Sequence, residues 1–133
     1  MSGVHVRVRV AGEHYALPVE QVLEVAEPGE IAAVPGSPPE VLGVRNLRGQ
    51  VLPVITLATV LGLAESDPTR VVVVESGDLR AGLRVDEVLD IAQLPPSAEP
   101  VESDFLHGAC MVDGELVGVL DIEAVLSSIA TVR

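Results

Sequence analysis

The sequence nearly repeats itself. Ala16-Leu17-Pro18-Val19-Glu20-Gln21-Val22-Leu23-Glu24-Val25 recurs 66 positions later as Gly82-Leu83-Arg84-Val85-Asp86-Glu87-Val88-Leu89-Asp90-Ile91. Five of these pairs are aliphatic in both copies, and Glu20/Asp86 and Glu24/Asp90 stay acidic. At an offset of 65, Gly43 meets Gly108, Gly49 meets Gly114, Val54 meets Val119, Leu57 meets Ile122, and Val60-Leu61 meets Val125-Leu126. Matched blocks at nearly constant spacing point to an internal duplication, and therefore to two copies of one structural unit. A cleft between such units is the expected binding site.

The local pattern within each copy is that of strands. Val4, Val6, Val8 and Val10 alternate with His5, Arg7 and Arg9, the period of a half-buried strand. Ala11-Gly12-Glu13 reads as a turn, Tyr15-Ala16-Leu17 as the returning strand, and Pro18 opens a short helical turn over Val19 to Val22. Four prolines (Pro28, Pro35, Pro38 and Pro39) mark a loop before two strands hinged at Arg48-Gly49. Leu57 to Leu63 is helical in spacing, and a polar connection at Glu65-Ser66-Asp67-Pro68 follows. Val71-Val72-Val73-Val74 predicts a strand covered on both faces. Ser76-Gly77-Asp78 is a turn, Pro95, Pro96 and Pro100 mark a second loop, and Asp113-Gly114 joins a further hairpin. Asp121 is placed to cap a last helix over Ile122 to Ser128. The fold class is thus all-β: two packed barrels of about five strands each, with short helical turns and a short C-terminal helix. The 133 residues form a single domain, 1–133, with approximate halves 1–66 and 67–133 as first and second barrel, exchange of strands between them being left open.

Composition narrows the function. The formal net charge is −12, from twenty acids against eight arginines and no lysine. Such a chain repels polyanions, so neither nucleic acid nor an anionic membrane surface is an expected partner. No apolar run reaches the roughly 20 residues of a membrane helix. Cys110 is the only cysteine, and no charged-then-apolar leader is visible, so a soluble cytoplasmic protein is expected.

Candidate chemistry is sparse. His5, His14 and His107 show no metal-ligand spacing, and neither GxGxxG nor GxxxxGK[ST] occurs, so no metal and no cofactor is expected. Cys110 lies in an apolar segment and reads as a buried thiol. Ser103, Asp104 and His107 are close in sequence, but a triad is made in space and nothing else in the sequence supports this one. A small enzyme built on Cys110 and His107 is the weakest of the readings. Arg48 stands out, because it adjoins a turn glycine between apolar strands and its counterpart in the repeat is Asp113. It reads equally as a solvated turn arginine or as an interface arginine. Glu24, between Leu23 and Val25, is either an ordinary surface acid or one wall of a groove.

The run Leu42-Gly43-Val44-Arg45-Asn46-Leu47-Arg48-Gly49-Gln50-Val51-Leu52-Pro53-Val54 resembles the signature of CheW-like proteins, the adaptors of bacterial chemotaxis. The resemblance extends over Tyr15 to Val19, Val22 to Val25, Val34 to Pro39, Val85 to Val88 and Gly118 to Leu126. It implies two SH3- or OB-like five-stranded barrels and no catalysis. It implies a scaffold that couples chemoreceptor cytoplasmic tips to the regulatory domain of a CheA-type histidine kinase, at receptor arrays in the cytoplasm. Other CheW-like proteins in array rings are further partners. By the same resemblance, Val22, Glu24 and Val25 form one wall of the receptor-binding groove, and Val85 and Val88 the other. Asn46, Leu47, Arg48 and Gly49 are the coupling and kinase-contact residues, with kinase contact at the end of the first barrel and, in arrays, of the second. Thr56 departs from the family, which commonly has Asp there, and the loop from Leu94 to Phe105, the lead-in to the first strand and the tail are short. The alternative is an accessory protein that organises receptor clusters without engaging the kinase.

Overall fold

The computed structural model describes residues 3–64, 67–95 and 99–130; the expected connection at Glu65-Ser66 and the loop proline Pro96 lie outside the described residues. The alternating valines form β1 (Val4–Val10), which pairs antiparallel with β2 (Glu13–Pro18) across the Ala11-Gly12 turn. A 3-10 turn over Val19–Gln21 leads into β3 (Val22–Ala26). The proline loop then delivers β4 (Val41–Leu47) and β5 (Gln50–Thr56), followed by the single helical turn α1 (Leu57–Val60). The second copy supplies β6 (Arg70–Ser76), β7 (Leu79–Val85), β8 (Glu87–Gln93), β9 (Leu106–Val112), β10 (Glu115–Leu120) and α2 (Ile122–Ala130).

Two five-stranded sheets result, in the orders β8-β1-β2-β10-β9 and β3-β6-β7-β5-β4. Replacing each strand of one sheet by its repeat counterpart generates the other. The registers agree residue by residue: β10 runs parallel to β2 with Val119 opposite Ala16, and β5 runs parallel to β7 with Val54 opposite Gly82. Even the irregularities match, since the ladder slips at Leu23 in β3 and at Leu89 in β8. A division at residues 66 and 67 into a first and a second barrel does not describe these sheets. β1 and β2 of the first half join β8, β9 and β10 of the second, so each sheet draws on both halves. The physical reason is where the chain crosses over. It leaves one sheet at the Val19–Gln21 turn and returns at Asp86, the repeat equivalent of Glu20.

One core lies between the sheets. Val8, Val10, Leu17, Ile55, Leu57, Val72, Val74, Leu83 and Val85 meet Leu120, Ile122 and Val125 there, all buried. A smaller cluster (Ala16, Leu94, Cys110 and Val117) fills the other face of the β8-to-β9 sheet. The expected four-valine strand is indeed covered on both faces. The alternation in β1 is less simple than its sequence. Arg7 is buried rather than solvent-facing, because β8 lies alongside and Asp90 accepts its guanidinium at 3.1 Å.

Tyr15 is buried beside this core, and burial, followed by the nearby Glu13 carboxylate, raises its phenol pKa above 10.0. A folded pKa above the unfolded one means that its stabilising contribution is complete below the unfolded value. It is lost as pH rises through the folded one. As the only tyrosine, in a chain without tryptophan, it should show phenolate absorbance later than a free phenol in native buffer. In denaturant the titration should return to about pH 10.

Asp121 caps α2, accepting the Ala124 N–H at 3.1 Å. Its counterpart Thr56 precedes α1 with no side-chain cap. Thr56 also lies opposite Arg84, whose buried Nε has no hydrogen-bond partner among the described residues. Thr56→Asp would cap the turn and place a carboxylate beside that arginine. A gain of about 1 kcal/mol is expected, read as a higher urea midpoint at unchanged slope.

Candidate functional site

The β4–β5 hairpin closes in two residues. Leu47 and Gln50 are the last pair, and Arg48 and Gly49 both take positive φ, 54° and 81°. This is a type I′ geometry, which suits the twist of a hairpin but favours Asn, Asp or Gly at its first position. An arginine there costs about 1 kcal/mol of backbone energy. The equivalent turn, Asp113-Gly114, has φ of 50° and 82° with a residue suited to it. Asn46 compensates in part, its Oδ1 accepting the Gly49 N–H at 2.9 Å. Of the four motif residues, Asn46 and Gly49 therefore shape the turn and Leu47 is half-buried beneath it. Arg48 projects outward with 79 % of its side chain exposed.

Its guanidinium donates through Nη1 to Glu24 Oε2. Glu24 lies on β3, and β3 and β4 are opposite edges of their sheet. The ion pair therefore spans the seam where the sheet curls round on itself. Arg45 reinforces it by donating to the Glu27 backbone carbonyl, and Ala32 pairs with Val44 through two backbone hydrogen bonds of 2.8 and 2.9 Å. Gly43 makes this closeness possible, because a Cβ there would fall 2.8 Å from the Ala32 carbonyl carbon and closer still to its oxygen.

The structure thus brings Glu24, expected in the receptor groove, against Arg48, expected in coupling. Sequence spacing gave no sign of that contact, because it depends on two sheet edges meeting. Around Glu24 the exposure is inverted: Leu23 and Val25 face solvent at 45 % and 44 %, while the acid between them is more covered. Val22 is half-buried and packs on the core. On the second-half side, Val88 is half-buried, whereas Val85 is fully buried and cannot present a surface. Val85 is corrected from a groove wall to a core residue, since β7 is a central strand with its Val85 face turned between the sheets. The neighbouring exposed side chain there is Ile91, at 66 %, the repeat counterpart of Val25. Pairing the two copies would have found it.

The remaining candidates are not assembled for chemistry. Cys110 is buried, and burial raises its thiol pKa. Ser103 Oγ accepts the Phe105 N–H at 3.2 Å, and His107 lies 3.8 Å from Asp121. Among the described residues, no group of three or more His, Cys, Asp or Glu side chains is placed to hold a metal ion, and no helix is long and apolar enough to cross a membrane. What the surface does offer is apolar area near hairpin tips: Val51, Met111 and Leu116 are each about three-fifths exposed. Such residues suit an interaction protein.

Residues 5–130 match the CheW-like domain family. The chain belongs to the CheW-like family. It is 32 % identical over 130 residues to the probable chemotaxis protein CheW of Rhizobium etli, covering 90 % of this chain and 84 % of that one. Against the chemotaxis protein CheW of Bacillus subtilis the identity is 33 % over 128 residues, covering 88 % and 82 %. The crystal structure of the scaffolding protein TtCheW from Thermoanaerobacter tengcongensis superposes with a TM-score of 0.81 at 27 % identity, covering 92 % of this chain and 86 % of that one. CheW-family proteins are non-catalytic scaffolds of chemotaxis signalling, and the two five-stranded sheets with a short C-terminal helix are their fold.

Proposed function

We propose that this CheW-like protein couples chemoreceptor cytoplasmic tips to the regulatory domain of a CheA-type histidine kinase, at receptor arrays in the cytoplasm. The observation that carries this reading is the Arg48–Glu24 pair. An arginine in a backbone conformation that disfavours it, exposed at a hairpin tip and absent from the second copy, is not explained by what the turn itself requires. Its partner stands on the strand that exposes Leu23 and Val25. One ion pair therefore links the apolar β3 surface to the hairpin tip. In this reading Val22, Glu24 and Val25 receive the receptor, with Val88 and Ile91 opposite. Asn46, Leu47, Arg48 and Gly49 transmit its presence to the kinase. The exposed tip residues Met111 and Leu116 are available to further CheW-like proteins in array rings.

The test is separate titration of the full chain with a receptor signalling fragment and with the kinase regulatory domain from its own organism. Binding of both, each weakened by Glu24→Arg, supports coupling. Binding of the receptor alone assigns the accessory role, and binding of neither ends the proposal.

A further inference from the structure

Tyr15 and Ala81 hold the same position in the two copies, 66 residues apart. Their neighbours correspond as well. Tyr15 lies opposite Gly118 on β10. Ala81 lies alongside Pro53 on β5, one step before the Val54–Gly82 pair, and Pro53 is the repeat counterpart of Gly118. In the first of these places the tyrosine is buried, its ring so close that a Cβ on Gly118 would fall 3.1 Å from it. In the second there is no ring, and a pocket of about 240 Å³ stands open. Its floor is Ile55, Ala81 and Leu126, all buried, and its half-buried walls are Pro53, Leu79 and Ile129. Arg80 also lines it, but that guanidinium already donates to Glu75 at 3.1 Å and to Gln50 at 2.7 Å. An apolar cavity of about 150 Å³ is enough to hold a benzene ring.

We propose that this pocket is a docking site for one aromatic side chain of a partner protein, carried on a basic segment. The first copy shows what such a space takes, because there a tyrosine of the chain's own strand fills it. A second copy of this chain cannot supply the ring, since its two aromatic residues, Tyr15 and Phe105, are packed on its own core. A free aromatic molecule is disfavoured. Small ligands are oriented by placed polar groups, and the one polar side chain lining the pocket is already engaged. A side chain is oriented instead by the segment that carries it. The basic flanks follow from charge, with twenty acids against eight arginines on this chain.

The test is NMR titration of the full chain, following the Ala81, Leu126 and Ile129 amide resonances. The probes are the capped tripeptides arginyl-tyrosyl-arginine and arginyl-leucyl-arginine, and p-cresol as the free ring. The tyrosyl peptide should give a saturable shift at all three amides. The leucyl peptide should bind about tenfold more weakly, as when a hydrophobic pocket is left partly unfilled. Ala81→Tyr should abolish binding by placing a ring inside the pocket, with a urea unfolding curve to check that the variant is folded. Should Pro53 obstruct that ring, the double variant Pro53→Gly, Ala81→Tyr reproduces the pairing of Tyr15 with Gly118 and takes its place. No saturable shift with the tyrosyl peptide would overturn the proposal. So would equal binding of the leucyl peptide, or binding that survives the filled pocket. Binding of p-cresol as tight as that of the peptide would assign the site to a free aromatic molecule and remove the protein partner. A shift seen only in a variant ending at residue 130 would make residues 131–133 the occupant, with the same result.

Discussion

Arg48→Asn is expected to leave the protein at least as stable as the wild type and, under the coupling proposal, to sever receptor control of the kinase. The stability side follows from the turn. Both central residues of the β4–β5 turn have positive φ, and Asn tolerates that region where Arg is strained by about 1 kcal/mol. Loss of the Arg48–Glu24 pair offsets little of this, because the arginine is largely exposed and an exposed pair contributes about 0–1 kcal/mol. Under that proposal Arg48 is an interface arginine, and the functional side should be large, since removing one commonly costs about 2 kcal/mol or more, some thirtyfold in affinity. The measurements are a urea unfolding curve and receptor-dependent kinase activity on reconstituted arrays. A variant that unfolds earlier and couples normally would show that Arg48 serves the hairpin and not signalling. The second copy already contains the control, since Asp113 occupies the same backbone conformation with a side chain suited to it.

Gly43→Ala should produce the largest loss of stability among conservative single substitutions at the seam. The added methyl would meet the Ala32 carbonyl, which is backbone and cannot rotate aside. To make room, the Ala32–Val44 bridge must open, and with it two backbone hydrogen bonds. Overpacking of this kind together with broken hydrogen bonds is expected to cost about 2–4 kcal/mol. The urea midpoint should fall accordingly, and amide exchange should accelerate first at Ala32 and Val44 if opening is confined to the seam. Tolerance within about 0.5 kcal/mol would mean that the proline loop is free to shift.

Strand identity was legible because it is a local property. Alternating valines, turn glycines and the Asp121 cap each announced themselves within a few residues, and the repeat supplied the second copy of each. Contacts that depend on how the sheets curl were not. Nothing near Arg48 in sequence indicates Glu24, which lies on the far edge of the same sheet. Arg7 belongs to an alternating strand and reads as solvent-facing, yet a strand from the other half covers it and supplies Asp90. Val85 and Val88 looked equivalent as groove residues. Only the placement of β7 as a central strand separates them, burying the first and leaving the second half-exposed. The CheW-like motif identified the family at once, but its residues divide into those that build the turn and the one that projects from it.

The exchange of strands carries a consequence for how such a chain can be taken apart. Each sheet takes two strands from one half and three from the other, yet each half carries a counterpart of all five strands. The same sheet could therefore be closed within one half or by exchange between two copies, and the present arrangement is the exchanged one, as in a domain-swapped homodimer. The stretch between α1 and β6 then acts as a tether that keeps the exchanged partners together. Cutting the tether should leave two fragments that associate on mixing and restore both exchanged sheets.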